Sequence, residues 1–208
     1  VIDSLFLMQN KLYRFSDDRL NKLLKAKKQV LLVTMHRREN WGEPLDNLCQ
    51  SLAEISHKRD NLIIVFPVHK NPLIRDIVFK KLKGQNNIIL SEPLDYGEMA
   101  NLIALSTLVL TDSGGIQEEA PALGKPVLIL RSETERPEVV NIGAAKLVGT
   151  ATEKITQEVE KLLSSPEEYQ KMIIKKSPYG DGYASKRIIE FNNQEYNLNN
   201  LEQELDLL

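Results

Sequence analysis

Thr111-Asp-Ser-Gly-Gly-Ile-Gln-Glu-Glu119 follows a short apolar run, Leu108-Val-Leu110, and leads through Ala120-Pro-Ala-Leu-Gly124 into a second apolar run, Val127 to Leu130. A strand that ends in Ser-Gly-Gly and turns straight into a helix leaves the first N–H groups of that helix without intrahelical partners. These donors and the positive end of the helix dipole suit a phosphate. Glu118 and Glu119 fall in the first turns, within reach of a ligand's hydroxyls. The stretch therefore predicts a βα unit with a nucleotide diphosphate seated on Ser113, Gly114 and Gly115. It is not a Gly-x-Gly-x-x-Gly fingerprint, no acidic residue stands at the usual ribose position after a first strand, and no Walker pattern is present, so a nicotinamide cofactor is not expected.

Working outward, the same alternation repeats. Val30–Thr34, Leu62–Phe66, Ile88–Leu90, Leu108–Thr111, Val127–Leu130 and Ala144–Val148 read as strands. Continuous short apolar runs of this kind suit strands buried on both faces. Between them, helical spacing joins Leu45, Leu48, Leu52 and Ile55; Ile74, Ile77 and Val78; Met99, Leu102 and Ile103; and Ile155, Val159, Leu162 and Leu163, the last helix ending near Ser164-Ser-Pro166. Pro137 suits the first turn of a helix after the fifth strand. This order predicts an α/β fold, a doubly wound, Rossmann-like parallel sheet with helices on both faces. Ligands of such sheets bind beyond the strands' carboxyl ends. His-Arg-Arg-Glu, Val-His-Lys, Glu-Pro-Leu-Asp, Ser-Gly-Gly and Thr-Glu-Arg-Pro all leave such ends, so polar loops converge on one rim. Residues 1–28 read as a lead-in with a helix over Leu20, Leu23 and Leu24 capped by Asp17 or Ser16; 1–190 as one domain; and 191–208 as an acidic, Asn-rich tail or short helix.

Composition limits the alternatives. With 208 residues, 42% apolar, the chain can bury a sizeable core, and a formal charge of −2 gives no reason to expect nucleic acid or an anionic membrane as partner. No apolar run approaches the roughly 18 residues of a membrane span. The chain opens on Val1-Ile-Asp3 without an initiator Met, which suggests a fragment or excised domain. The single Cys49 excludes an internal disulfide and sits at an apolar helical position, as a buried inert thiol would. His36, His57 and His69 show no metal-ligand spacing, so no protein-bound metal is expected.

His36-Arg-Arg-Glu-Asn40 is the second motif. Its His and Arg can hold phosphate oxygens, and His36 can alternatively protonate a leaving phosphate. Against these readings, Arg38 and Glu39 can simply pair with each other or with neighbours and fix the loop, and His69 can be a loop-packing residue.

Taken together, His36-Arg-Arg-Glu-Asn, Val68-His-Lys-Asn-Pro, Glu92-Pro-Leu-Asp-Tyr, Asp112-Ser-Gly-Gly-Ile-Gln-Glu-Glu-Ala-Pro, Gly124-Lys-Pro-Val, Thr134-Glu-Arg-Pro-Glu and Pro178-Tyr-Gly-Asp-Gly resemble the carboxy-terminal half of the non-hydrolysing UDP-N-acetylglucosamine 2-epimerases. The resemblance implies one half of a glycosyltransferase-B architecture, in which two Rossmann-like domains face a cleft. It implies that Ser113, Gly114 and Gly115 hold the diphosphate of UDP-GlcNAc or UDP, that Glu119 accepts the ribose hydroxyls, and that His36 is the catalytic-site histidine. Arg136 would lie beside the ligand, Leu94 to Met99 would contact the uracil, and Arg37 and His69 would contact a second, allosteric UDP-sugar. Met99 departs from the aromatic residue expected there. The implied reaction eliminates UDP to give 2-acetamidoglucal and re-adds it on the other face, without a cofactor. The carboxylates that move the sugar protons belong to the family's amino-terminal domain, so this chain alone is expected to be inactive and to need that domain in cis or in trans. A homodimer is a candidate assembly and the cytoplasm the expected location. A glycosyltransferase of the same architecture, a hydrolysing relative, or a UDP-sugar sensor without catalysis are the alternatives.

Overall fold

The computed structural model describes residues 1–9, 13–23, 28–174 and 176–193. Leu24 of the lead-in helix and most of the predicted tail lie outside the described residues. Six strands, β1 (Gln29–Thr34), β2 (Leu62–Pro67), β3 (Ile88–Ser91), β4 (Leu108–Thr111), β5 (Val127–Ile129) and β6 (Ala145–Leu147), form one sheet in the order β3-β2-β1-β4-β5-β6, every pair parallel. The sheet is thus the doubly wound Rossmann-like one that the apolar runs predict.

Strand periodicity divides the core in two. Leu31 and Val33 of β1 point into one layer, packed against α3 (Glu43–Lys58), α4 (Pro72–Leu82) and α8 (Thr152–Ser164), while Val30 and Leu32 point into the other, which holds Leu102, Ile103, Ile116 and Ala120 of α5 (Tyr96–Leu105) and α6 (Gly114–Ala122). Successive side chains of a strand alternate faces, so a fully buried strand must be apolar at every position. Cys49 lies in the first layer with no exposure, and burial pushes its thiol up to about 12.

Three helices lie outside the repeating units. α1 (Ile2–Gln9) buries Ile2 and Leu5 beside Ala100 of α5. α2 (Asp18–Leu23) starts where expected, its Asp17 carboxylate accepting from the Arg19 N–H at 2.9 Å. α9 (Pro166–Lys171) follows α8 after one residue, so Pro166 does not only stop a helix; it occupies the first turn of the next. α7 (Pro137–Asn141) opens on Pro137 as predicted.

The crossing points fix the site. β1 and β4 are neighbours although they are not consecutive, and the chain leaves β1 toward one face and β4 toward the other. In this strand order the crevice opens between these two carboxyl ends. Thr34 and Thr111 mark it, their buried hydroxyl oxygens 2.6 Å apart.

Candidate functional site

Ser113 caps α6 in extended conformation, its own N–H donating to Thr111 Oγ1 at 3.0 Å, while its carbonyl accepts the first α-helical bond from the Gln117 N–H at 3.2 Å. Gly114 and Gly115 form the first turn. A methyl group added at either glycine would meet nothing closer than 3.9 Å, so both are compatible with alanine as far as the chain itself is concerned. The space over their backbone is what the glycines keep open.

Asp112, just before this turn, was not singled out as a site residue in the sequence, yet it organises the rim. Its carboxylate has no solvent exposure. It accepts from the backbone N–H of His36 at 3.1 Å and of Arg37 at 2.9 Å and from Asn40 Nδ2 at 3.0 Å, and its Oδ1 lies 3.2 Å from His36 Nδ1. Burial opposes the charge of Asp112, but the His36, Arg37 and Asn40 bonds outweigh it and hold the carboxyl below the ordinary range. Conversely, the bond to Asp112 raises the His36 pKa against the opposing effect of burial. With Nδ1 turned to Asp112, Nε2 is the nitrogen left for a ligand.

His36, His69 and Met99 come together. With Thr34, Leu94 and Ile116 they line a cleft of about 210 Å³ at the carboxyl ends of β1 and β2. His69 is exposed and its Nδ1 accepts from the Asn71 N–H at 3.1 Å, which fixes the ring with Nε2 outward. Glu119 is only 8% exposed; burial raises its pKa, and the Tyr96 hydroxyl beside it works the other way. Tyr96 answers in kind, its phenol pushed up to about 12 by partial burial and by the Glu119 charge.

Arg37 does not line that cleft. Its Nε donates to the Asp112 carbonyl at 3.0 Å and its Nη1 to Glu135 at 3.0 Å. Arg136 pairs with Glu118, and Thr134 donates to Gln117, so the Thr134-Glu-Arg-Pro loop is stitched to α6. Glu39 pairs with neighbours rather than with Arg38: it stands 3.8 Å from Arg37 and 3.8 Å from Arg131. Tyr179 of the Pro178-Tyr-Gly-Asp-Gly segment donates to Glu138 at 2.8 Å, bringing that motif against the same loop. Among the described residues no group of His, Cys, Asp and Glu has a geometry suited to a metal ion, and no helix is long and apolar enough to cross a membrane.

Residues 1–192 match the protein family described as UDP-N-acetylglucosamine 2-epimerase. The chain belongs to this family. It is similar to the UDP-N-acetylglucosamine 2-epimerase of Yersinia pestis, with 46% identity over 195 residues, covering 91% of this chain and 52% of that protein. Among solved structures it is similar to UDP-GlcNAc 2-epimerase from Neisseria meningitidis bound to UDP-GlcNAc, with 41% identity and a TM-score of 0.82 over 93% of this chain and 53% of that one. The chain therefore spans about half the length of the relatives it matches. The C-terminal domain of a group 1 family glycosyl transferase from Francisella tularensis shares the fold at 15% identity, with a TM-score of 0.58 over 77% of this chain and 89% of that one.

Proposed function

We propose that this chain is the UDP-binding half of a UDP-GlcNAc 2-epimerase. The observation that carries the reading is the meeting, at the β1/β4 crevice, of the Ser113-Gly114-Gly115 turn with an Asp112-held His36. The diphosphate sits on the open N–H groups of α6, where the helix dipole favours negative charge. His36 Nε2 faces the phosphates and donates to a phosphate oxygen, so charge building on departing UDP is met by donors already in place. Glu119 accepts the ribose hydroxyls, each a donor to one carboxylate oxygen. The uracil extends over Leu94 and Met99 in the cleft, and Arg37 and His69 serve a second UDP-sugar, Arg37 from over the Ser113 turn, where its guanidinium also reaches the phosphates of the first ligand. Arg136 acts beside the ligand through the loop it anchors.

In this mechanism UDP leaves C1 of the sugar as the C2 proton is removed, giving 2-acetamidoglucal, and UDP returns with a proton on the opposite face of C2. The chain's own residues hold and polarise the leaving group. The proton-transfer carboxylates belong to the other half of the cleft, so the 208-residue chain by itself binds UDP weakly and does not turn over.

Two measurements test this. Calorimetry with UDP should give weak but saturable binding that Ser113→Ala and Glu119→Ala reduce. Conversion of UDP-GlcNAc to UDP-ManNAc should appear only when an amino-terminal half is supplied. Robust epimerisation by the chain alone would refute the division of labour, and absence of any UDP binding with or without that half would refute the site.

A further inference from the structure

Glu135 places a carboxylate between two guanidinium groups that come from different strand ends. Arg37 Nη1, after β1, donates to Oε1 at 3.0 Å, and Arg131 Nη1, after β5, donates to Oε2. The arginines are the fixed partners. The Arg131 side chain is 11% exposed and Arg37 29%, against 49% for Glu135. Arg37 is also anchored through Nε to the Asp112 carbonyl, which sets its guanidinium over the phosphate turn: a methyl group at Gly114 would lie 3.9 Å from Nη2. Glu39, at 3.8 Å from both arginines, is too far to hydrogen-bond either. Thr134 and Arg136, on either side of Glu135, are each held to α6. The Glu135 side chain can therefore rotate away while its loop stays in place. A half-exposed carboxylate held by ion pairs is released at little cost.

We propose that Arg37 and Arg131 form an anion site for a phosphate group of the nucleotide ligand, and that Glu135 is its internal occupant, which the ligand must displace. A planar guanidinium fork receives a phosphate as readily as a carboxylate. The proposal rests on the reading of the Ser113 turn as a diphosphate cradle and adds to it Arg131, beside Arg37, and a competing anion supplied by the protein. Its consequence is a self-limited affinity: if Glu135 fills the site in about nine molecules of ten, apparent phosphate affinity falls about tenfold.

The test uses inorganic pyrophosphate and UDP as probes, by calorimetry at low salt, with melting curves to confirm that each variant folds. Glu135→Gln should bind pyrophosphate about tenfold more tightly, and adding Arg131→Gln to it should abolish that gain. Glu135→Asp, with a shorter carboxylate that closes the site less well, should give a smaller gain and covers the case in which Glu135→Gln misfolds. Unchanged or weaker pyrophosphate binding in folded Glu135 variants overturns the proposal, as does a gain that survives Arg131→Gln. The two readings separate cleanly. UDP binding that depends on Glu119 but ignores Glu135 removes the anion site alone. A pyrophosphate gain in Glu135→Gln, with UDP binding no more tightly than pyrophosphate and no effect of Glu119→Gln, removes the nucleotide reading alone.

Discussion

Asp112 Oδ1 lies 3.2 Å from His36 Nδ1, with the carboxylate fully buried and the imidazole half exposed. This pair decides both the charge and the orientation of the histidine. Asp112→Asn keeps the shape but not the charge, and an amide cannot accept from the His36 and Arg37 N–H groups and Asn40 at both of its terminal atoms. The expected cost is about 2–3 kcal/mol of stability, with the His36 pKa falling back toward 6.5, read by denaturant melts and by histidine proton NMR.

The pH dependence of that cost follows from the directions of the shifts. Asp112 is lowered from 3.8, so its contribution is present above that value and lost as pH falls through the folded pKa. His36 is raised from 6.5, so its contribution is complete below that value and lost as pH rises through the folded pKa. The stability gap between the parent and Asp112→Asn should therefore be widest between pH 3.8 and 6.5 and narrow on either side. A gap that keeps growing above neutral pH would show that the pair is not the source.

Gly114→Ala separates folding from binding. The backbone there has no positive φ and the nearest atom to a new methyl group is 3.9 Å away, so stability should change by less than about 0.5 kcal/mol. The methyl group would stand where the diphosphate approaches the helix N-terminus, and UDP affinity should drop at least about tenfold, since losing a hydrogen bond to a charged group costs about 1.5–3 kcal/mol. Loss of both stability and binding would point to a purely structural glycine.

Glu119→Gln should move stability and binding in opposite directions. A carboxyl whose folded pKa is raised above 4.5 loses stability on ionising, so at neutral pH the amide should raise the melting temperature. The same change replaces one acceptor oxygen with a donor, and UDP should bind about tenfold less tightly. Parallel melts and calorimetry at pH 7.5 check this.

The fold was legible because β1 to β5 are short, mainly apolar runs and α3, α4 and α8 carry apolar residues at helical spacing, while edge strand β6 is interrupted by Lys146: six predicted strands and the parallel doubly wound sheet are present, with ends differing by a residue or so. The short helices were less legible. α1 has only Ile2 and Leu5 buried, and α9 begins at a proline that also reads as a stop. At the site, Ser113, Gly114, Gly115, His36 and His69 carried signals local to their own loops, whereas Met99 read as an apolar helical residue and entered only through the family resemblance; the structure brings them to one rim. The partners that set their chemistry are distant in sequence. Asp112 meets His36 only because β4 lies beside β1, and Arg37 meets Glu135, as Arg131 approaches Glu39, only because β5 follows next in the sheet. No spacing along the chain encodes those contacts.

UDP is proposed to lie on the first turn of α6, and the backbone amides of Gly114 and Gly115 report on it directly. In a ¹⁵N-resolved titration with UDP, these two amides should show the largest downfield shifts, and those of Glu119 and His36 smaller ones. UDP that binds while the Gly114 and Gly115 amides stay in place would contradict the account.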